Sequence, residues 1–432
     1  YIFDFASPSI FTEASSERLF YVMAFLNSPV GSLVSGLLNP TLNLSPGVMA
    51  SFPTTIVDSN YELICTRAKE LMSIFKDDYQ SKEENPGFKS LNIINIHAST
   101  ISSCFNKLYR NSLDLVEEVQ ELEQANNALF IEMYGARGQV NAEVKKSTIS
   151  LYCNQFYQFS GKDLASGKLL YRAEKIAEIV SYSIGCVMGR YSLNREGLVY
   201  AQSGNDGFDM LAAEGAYRAY SADEDGIIPL TDQEWFKDDA TNRFREFVQV
   251  VWGEEHLQEN LDFVAESLCL NAIKPKKSES ALETIRRYLS TQFYKDHLKT
   301  YKKRPIYWLF SSGKQKAFEC LVYLHRYNEG TLSRMRTEYV TPLLGKYDAN
   351  AEQLEKQIET ADSTSEANRF KKELDALIKK QVELREFDDK LKYYADMRIS
   401  LDLDDGVKVN YGKFGDLLAD VKAIIGSAPE VN

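Results

Sequence analysis

Apolar residues recur at spacings of three and four over two long stretches of the chain, and this pattern predicts α-helices. The first stretch runs from Asn60 to about Tyr134, with acidic residues between the apolar ones. A polar run, Gln80–Asn85, and the Pro-Gly pair after it predict a loop inside this stretch. We therefore expect residues 59–146 to form a helical arm or spacer.

The second stretch, residues 343–398, is rich in charge and nearly free of glycine. Its apolar residues fall at helical spacing on both sides of a polar break at Asp362–Ser365. They are Leu354, Ile358 and Ala361 before the break and Phe370, Leu374, Leu377, Leu384, Phe387 and Leu391 after it. This arrangement predicts an antiparallel helical hairpin or a short coiled coil.

Two capping boxes predict helix starts between these stretches. In Thr231–Glu234 and again in Ser280–Glu283, a hydroxyl residue precedes a glutamate by three positions, so each side chain can bond the other's backbone N–H. We expect the first helix to end at Gly253. The second helix is expected to carry Arg286 and Arg287 beside an apolar face.

Strand-like sequence is concentrated in a few short runs. Pro305–Phe310 and Phe318–Tyr323 flank the turn residues Ser311–Lys314, a pattern that predicts a β-hairpin. Residues 1–57 combine a strand-like opening with two short apolar helical segments. The expected fold class is α+β, mainly α-helical.

Charge is distributed unevenly along the chain. The net charge is −12, but the basic block, residues 271–316, has twelve basic and three acidic side chains, so it carries +9 and the remainder carries −21. Lys302, Lys303 and Arg304 are followed at once by Tyr307 and Trp308, which predicts cations and aromatic faces on one edge, as in surfaces that grip nucleic acid. Charge alone supports equally a solvated helix face beside an acidic remainder.

Composition limits the remaining classes. With 44% hydrophobic and 26% charged residues in 432, the chain has ordinary globular usage. Six cysteines stand singly and four histidines lie outside metal-ligand spacing, which predicts reduced thiols in a cytoplasmic protein without a metal site. No run approaches the roughly 18 apolar residues of a membrane span, so we expect no membrane partner.

Catalytic motifs are weak. Methyl transfer to an exocyclic amine needs Asn or Asp, then Pro, then Pro or Ser, then an aromatic ring at a strand end. Asn39–Leu42 lacks the aromatic residue, and Asn85–Phe88 follows a charged loop, so both are interpreted as turns.

Cofactor and acid–base motifs are equally weak. The glycine pairs Gly135 with Gly138 and Gly185 with Gly189 lie between or within helical segments rather than between a strand and a helix. His297 and His325 lack a patterned partner, so a structural role is favoured for both. We predict no catalytic and no cofactor-binding residue in this chain.

Four segments resemble one known family. They are Ile184–Leu193, Arg304–Lys314, Tyr323–Tyr327 and Asp404–Phe414. In this order they resemble the carboxy-terminal half of the PglX family, the adenine-specific DNA methyltransferases of BREX bacteriophage-exclusion systems. The resemblance runs from the start of the chain almost to its end.

The opening of the chain carries a second resemblance. Phe25–Ser28, Leu42–Met49 and Phe52-Pro53 are similar to the closing helices of target-recognition domains in type I and fused restriction-modification enzymes, which read base edges in the major groove. Together the resemblances imply five regions. They are the closing part of a target-recognition domain (1–58), the helical arm (59–146), a mixed α/β domain with the basic block (147–342), the helical hairpin (343–398) and a tail segment that packs back (399–432).

The family's Rossmann-like methyltransferase domain and its Asn-Pro-Pro-Tyr motif have no counterpart in this sequence. The resemblance implies that the intact protein transfers a methyl group from S-adenosylmethionine to adenine N6, and that this chain supplies site choice and grip. The implied partners are double-stranded DNA and other BREX proteins. The candidate phosphate contacts are Arg286, Arg287, Lys299, Lys302, Lys303, Arg304 and Lys314. The alternative is a protein-interaction scaffold that docks other BREX components without touching DNA.

Overall fold

The fold is mainly helical and contains one small antiparallel sheet. The computed structural model describes residues 10–11, 17–39, 45–54, 56 and 58–426. The strand-like opening and the residues Pro40–Leu44 lie outside these ranges. The chain divides into two compact units, unit 1 (residues 1–85 and 106–171) and unit 2 (residues 86–105 and 172–432).

The helices of the first half are α1 Glu17–Leu26, α2 Pro29–Leu38, α3 Pro46–Ala50, α4 Asp58–Gln80, α5 Ile101–Met133, α6 Gln155–Gln158, α7 Leu164–Val187 and α8 Phe208–Ala213. Those of the second half are α9 Ala240–Trp252, α10 Leu257–Cys269, α11 Ala281–Tyr288, α12 Tyr294–Thr300, α13 Thr331–Arg334, α14 Thr341–Glu359, α15 Thr364–Asp396, α16 Gly406–Gly412 and α17 Val421–Ile425. The strands are β1 Ile227–Pro229, β2 Tyr307–Ser311 and β3 Glu319–Tyr323.

Unit 1 is built on the predicted helical arm. Helices α4 and α5 confirm the helical periodicity, but the segment between them runs over residues 81–100 and is longer than the predicted loop. One core in this unit joins α1 to the arm through aromatic rings: Tyr21 and Phe25 each meet Phe130 edge-on, at centroid distances of 5.6 and 5.7 Å. Each fully buried ring of this kind contributes roughly 1.5–3 kcal/mol.

The sheet lies in unit 2 and confirms the predicted hairpin. Strands β2 and β3 pair antiparallel with Trp308 opposite Val322, and β1, which the sequence analysis missed, adds to the other side of β3 with Ile227 opposite Val322. The strand order is therefore β1-β3-β2. Three residues give β1 too little alternation to stand out in the sequence.

One of the two predicted capping boxes is wrong. Helix α9 begins at Ala240, where the buried Asp239 carboxylate accepts hydrogen bonds from Thr241 N and Asn242 N at 3.0 and 2.9 Å. The Thr231 hydroxyl instead donates to Gln233 O. The Asp239 cap takes precedence because a carboxylate satisfies two N–H groups at the helix start. The predicted stop at Gly253 is confirmed.

The predicted helical hairpin is confirmed. Helices α14 and α15 are joined at the polar break, where the Ser363 hydroxyl caps α15 by accepting from Glu366 N. A buried seam along the pair contains Leu354, Leu377, Leu384, Phe387 and Leu391.

The chain beyond the hairpin returns to the sheet. Ala419 N donates to Leu309 O at 2.8 Å, and the Trp308 ring contacts Tyr411 and Phe414 edge-on at 5.4 and 5.7 Å. The family-like segment Asp404–Phe414 is therefore part of the core around β2.

Candidate nucleic-acid interface

The basic block contains an interrupted helix of unit 2, residues 281–300. Its start is the second predicted capping box, which is confirmed: Glu283 N donates to the Ser280 hydroxyl at 3.3 Å, and Ser280 N donates to the Glu283 carboxylate at 2.7 Å. Helices α11 and α12 are joined by a π-helical segment, Leu289–Phe293. Such segments occur often at functional sites. The face of this interrupted helix that contains Ile285 and Phe293 is buried, so its opposite face points away from the core.

Helix α12 ends in a turn that brings four cations together. Lys303 N donates to Leu298 O at 2.8 Å, and Lys302 N donates to Lys299 O at 3.2 Å. These two bonds are the pair that defines a Schellman motif, in which the residue after the cap is left-handed and is usually glycine. Here that residue is Lys302, with φ +50°, and Lys303 is also left-handed, with φ +61°.

A lysine in this conformation has an energetic cost. The left-handed region disfavours residues with a Cβ by roughly 1–2 kcal/mol each. Two consecutive lysines therefore occupy positions that glycine would fill more stably. Departures from local preference of this kind are expected at functional sites.

We call Lys299, Lys302, Lys303 and Arg304 the cationic turn. All four side chains are exposed. None forms an ion pair with any residue in the described part of the chain. The turn is thus a concentrated positive surface whose charge is not neutralised there.

The remaining candidates have different surroundings. The Arg286 guanidinium is 11% exposed, forms an ion pair with Asp239, and also donates to Gln233 O at 3.2 Å. Arg287 is 16% exposed and holds the Glu279 carboxylate through bonds of 2.6–3.0 Å. Both arginines are engaged within the fold, as cations with buried carboxylate partners generally are.

Lys314 lies in the loop between β2 and β3, and its side chain is exposed. A single carboxylate from α15 organises this loop: Glu383 accepts from the Ser312 hydroxyl at 2.7 Å and from Gln315 N at 2.7 Å. The negative charge of Glu383 so close to Lys314 makes that lysine the weaker phosphate candidate.

The predicted pairing of cations with aromatic faces is wrong. Tyr307 and Trp308 are each 1% exposed, and Trp308 is covered by Tyr411 and Phe414 of the C-terminal segment. The Tyr307 ring lies 4.8 Å from the His297 ring instead of facing solvent. The cationic turn is therefore a purely electrostatic surface.

His297 has the structural role that the sequence favoured. Burial foremost, and then the charge of Arg190, lowers the pKa of His297 to about 3, so the ring is neutral. Its Nε2 accepts from the backbone N–H of Ile306 and of Tyr307, both at 3.2 Å, which ties α12 to the start of β2. Burial and Arg190 also lower the pKa of His325.

Two of the four glycines in the pairs lie against aromatic rings. A Cβ at Gly185 would meet the Tyr191 ring at 2.5 Å, and one at Gly189 would meet the Phe208 ring at 2.5 Å. Both glycines therefore make room for aromatic side chains. Gly135 and Gly138 lie in the turn after α5, where a Cβ would meet nothing within 4 Å.

The described residues of the two Asn-Pro segments make contacts that stabilise the fold. The Asn39 backbone N–H caps α2, while Pro40–Leu42 lies outside the described residues. Phe88 is 7% exposed and packs edge-on against Tyr182 and Tyr191, so its ring is not available to stack on a base.

Two negative findings apply to the described ranges only. No three His, Cys, Asp or Glu side chains there are grouped so that they could hold a metal ion. No single helix there is long and apolar enough to cross a membrane, and only α1 together with α2, bent by 74°, reaches that length and composition.

Along its whole length the chain is homologous to adenine-specific methyltransferases. It is 53% identical, over 433 aligned residues, to the adenine-specific methyltransferase BrxX of Escherichia coli O9:H4 (strain HS). This alignment covers 100% of the chain but 35% of that relative. The chain is 34% identical over 421 residues to the adenine-specific methyltransferase PglX of Lacticaseibacillus casei (strain Zhang), covering 96% of this chain and 32% of the relative. No family model matches the sequence.

These matches confirm the resemblance found from the four motif segments. The chain spans about a third of the length of the curated relatives it matches. The assignment to their carboxy-terminal portion and the boundaries of the five regions stay predictions.

Two features of the site were missed by sequence reasoning. The left-handed lysines carry no marker, because the expected glycine or asparagine is absent from the turn. Arg190, inside the family-like segment Ile184–Leu193, was not recognised as a partly buried cation. Its position directly after Gly189 was the available signal.

Proposed function

We propose that this chain grips double-stranded DNA for a BREX-type adenine-N6 methyltransferase, and that the cationic turn makes the contact. One observation supports the proposal most directly. Four exposed cations are held together at the end of α12 on a turn whose backbone is kept in an unfavourable conformation, with no ion pair to the described residues. Surfaces of this kind suit the regularly spaced phosphates of a duplex.

The contact would position the DNA rather than read it. Lysine and arginine on phosphate fix register and orientation, while sequence is read by base-edge contacts. The base-reading role is assigned to a target-recognition domain whose closing part is residues 1–58. The relatives are named as adenine-specific methyltransferases, so the intact protein is proposed to take the methyl group from S-adenosylmethionine and to act in the cytoplasm with other BREX proteins.

Replacing the left-handed lysine with glycine separates function from stability. In Lys302→Gly, duplex affinity at physiological salt should fall about fivefold, and the slope of log affinity against log salt should flatten by about 0.9, because one phosphate contact is lost. The free energy of unfolding should stay level or rise by up to about 1 kcal/mol, since glycine carries no Cβ penalty in this region. Fluorescence anisotropy with a labelled duplex measures binding, and urea unfolding measures stability.

Lys316 provides a matched control. It is also left-handed, with φ +50°, but its ammonium bonds Glu319 at 2.8 Å and Ser290 O at 2.7 Å. Lys316→Gly should therefore leave the salt slope unchanged, and Lys302→Arg should retain binding. A Lys302→Gly protein with the wild-type salt slope would contradict the proposal for this residue.

A further inference from the structure

Arg190 is a half-buried cation whose side-chain hydrogen bonds go to tyrosine hydroxyls. It follows α7, and its Nε donates to the Tyr191 hydroxyl at 3.0 Å while Nη1 donates to the Tyr323 hydroxyl at 3.3 Å. Both acceptors are neutral. The Tyr323 hydroxyl is itself oriented by donating to Tyr200 O at 2.8 Å, so the guanidinium is held in a defined plane.

Within the described ranges no ion pair joins Arg190 to a carboxylate, so the bonds of its Nε and Nη1 go to tyrosine hydroxyls alone. Arg326, in the same unit, is a comparison: its guanidinium is bonded to acceptors within the fold on every side. Its Nε, Nη1 and Nη2 donate to Asn205 Oδ1, Asp223 O and Glu224 O at 3.0, 2.6 and 2.8 Å, and it is 1% exposed. Arg190 is half-buried and has no such set of backbone acceptors. A guanidinium fork matches the geometry of two phosphate oxygens.

A donor near Arg190 lacks a partner. Because Nε2 of His297 accepts two backbone N–H groups, the proton of the neutral ring resides on Nδ1. The ring is 3% exposed, and Nδ1 has no hydrogen-bond partner. A buried donor left unpaired costs about 1–3 kcal/mol. The Tyr307 ring lies 4.8 Å from the His297 ring and 5.7 Å from the ring of Tyr323, whose hydroxyl accepts from Arg190, so the two groups share one neighbourhood.

This neighbourhood adjoins the cationic turn. The Tyr301 ring lies 4.7 Å from the His297 ring, and Tyr301 directly precedes Lys302 in the chain. An anion reaching Arg190 would therefore lie beside the turn, where its charge is stabilised by several cations.

We propose that Arg190 binds an oxyanion, specifically a phosphate group, and that it extends the cationic turn into a phosphate site built partly inside the fold. For a phosphate of the DNA backbone this rests on the proposed function. A free phosphate would satisfy the same chemistry, and the experiment distinguishes the two sources.

The first measurement follows the histidine ring signals by NMR on the 432-residue chain with labelled histidine. Adding a short duplex should shift the signals of His297 and His325, because a bound phosphate offsets the Arg190 charge that acts on both rings. Inorganic phosphate is added in a parallel titration. The shifts should be absent in Arg190→Gln and retained in Arg195→Gln, a control in which an exposed arginine paired with Glu214 is changed.

The second measurement is the salt dependence of duplex binding. Arg190→Gln should flatten the slope of log affinity against log salt by about 0.9 and lower affinity at physiological salt about fivefold. Arg190→Lys, which keeps the charge but not the planar fork, should restore the slope and only part of the affinity. Circular dichroism of each variant without DNA shows whether the fold is intact. If Arg190→Gln fails to fold, the proposal is tested with the duplex affinity of Arg190→Lys and the NMR titration of the wild-type chain.

Each outcome decides a claim. Shifts with duplex assign the site to a backbone phosphate, and shifts with inorganic phosphate alone assign it to a free one. No shift with either ligand overturns the proposal. Loss of slope in the Lys302 variant but not in Arg190→Gln, together with no response to inorganic phosphate, refutes the Arg190 site while the proposed function stands. A phosphate response with no duplex binding refutes the proposed function alone.

Discussion

Reversing three charges of the cationic turn together, in Lys302→Glu, Lys303→Glu and Arg304→Glu, is expected to weaken duplex binding by about 100-fold or more at physiological salt. Each phosphate contact releases close to one counterion, so three lost contacts also flatten the salt slope by nearly three units. The added glutamates then repel the duplex, which makes the measured loss larger than three neutral substitutions would give.

The measurement is a salt titration of duplex affinity between about 50 and 200 mM. The basic block offers a control with the same change of net charge, because Lys274, Lys276 and Lys277 are exposed and precede α11. Reversing these three should cost much less if the cationic turn makes the contact. Equal losses would assign the effect to the general field of the basic block. Unchanged binding in the turn variant would favour the scaffold interpretation.

The largest effect on stability is expected for Arg286→Met. Asp239 is fully buried, and without Arg286 its charge loses its ionic partner, which typically costs about 3–5 kcal/mol. The same substitution also frees Thr231 O and Gln233 O of their bonds to this side chain. Urea unfolding at neutral pH should show the loss, while the salt slope of duplex binding should be unaffected if Arg286 acts only within the fold.

The pH dependence of this variant tests the cause. Burial raises the pKa of Asp239, and Arg286 opposes that rise, so the pKa should climb further in Arg286→Met. A group whose pKa is higher in the folded than in the unfolded state favours folding when protonated. The deficit should therefore be largest near neutral pH and should shrink as the pH falls through the raised pKa toward about 3.9, the ordinary value. Arg195→Met, which breaks an exposed pair with Glu214, should cost under about 1 kcal/mol at every pH.

Hydrophobic periodicity predicted the long elements that are buried along one side. The arm and the α14–α15 hairpin were found because every third or fourth residue is apolar over several turns, and the β-hairpin because a turn separates two apolar runs. The start of α9 was misplaced because two competing caps lie eight residues apart, and only the fold shows that Arg286 reaches Asp239. Long-range pairs of this kind have no local signature.

The candidate site was predictable in position but not in detail. The basic block marked the region, yet no sequence pattern indicates that Arg286 and Arg287 are committed to carboxylates while Lys299, Lys302, Lys303 and Arg304 are not. The sequence also favoured Tyr307 and Trp308 as surface groups, although Tyr307 packs on His297 and Trp308 packs on Tyr411 and Phe414. Adjacency in sequence predicts which charges lie close together, whereas tertiary packing decides which of them face solvent.

The backbone bonds that close α12 have a consequence for the kinetics of binding. Ordering a flexible residue costs about 1–2 kcal/mol of conformational entropy, and the turn that carries Lys302 and Lys303 is ordered when the chain folds. In the proposed complex, an arriving duplex therefore meets a preformed backbone and has to restrain only the side chains. Association can then proceed at the rate set by electrostatic steering, without a slower step in which the loop rearranges.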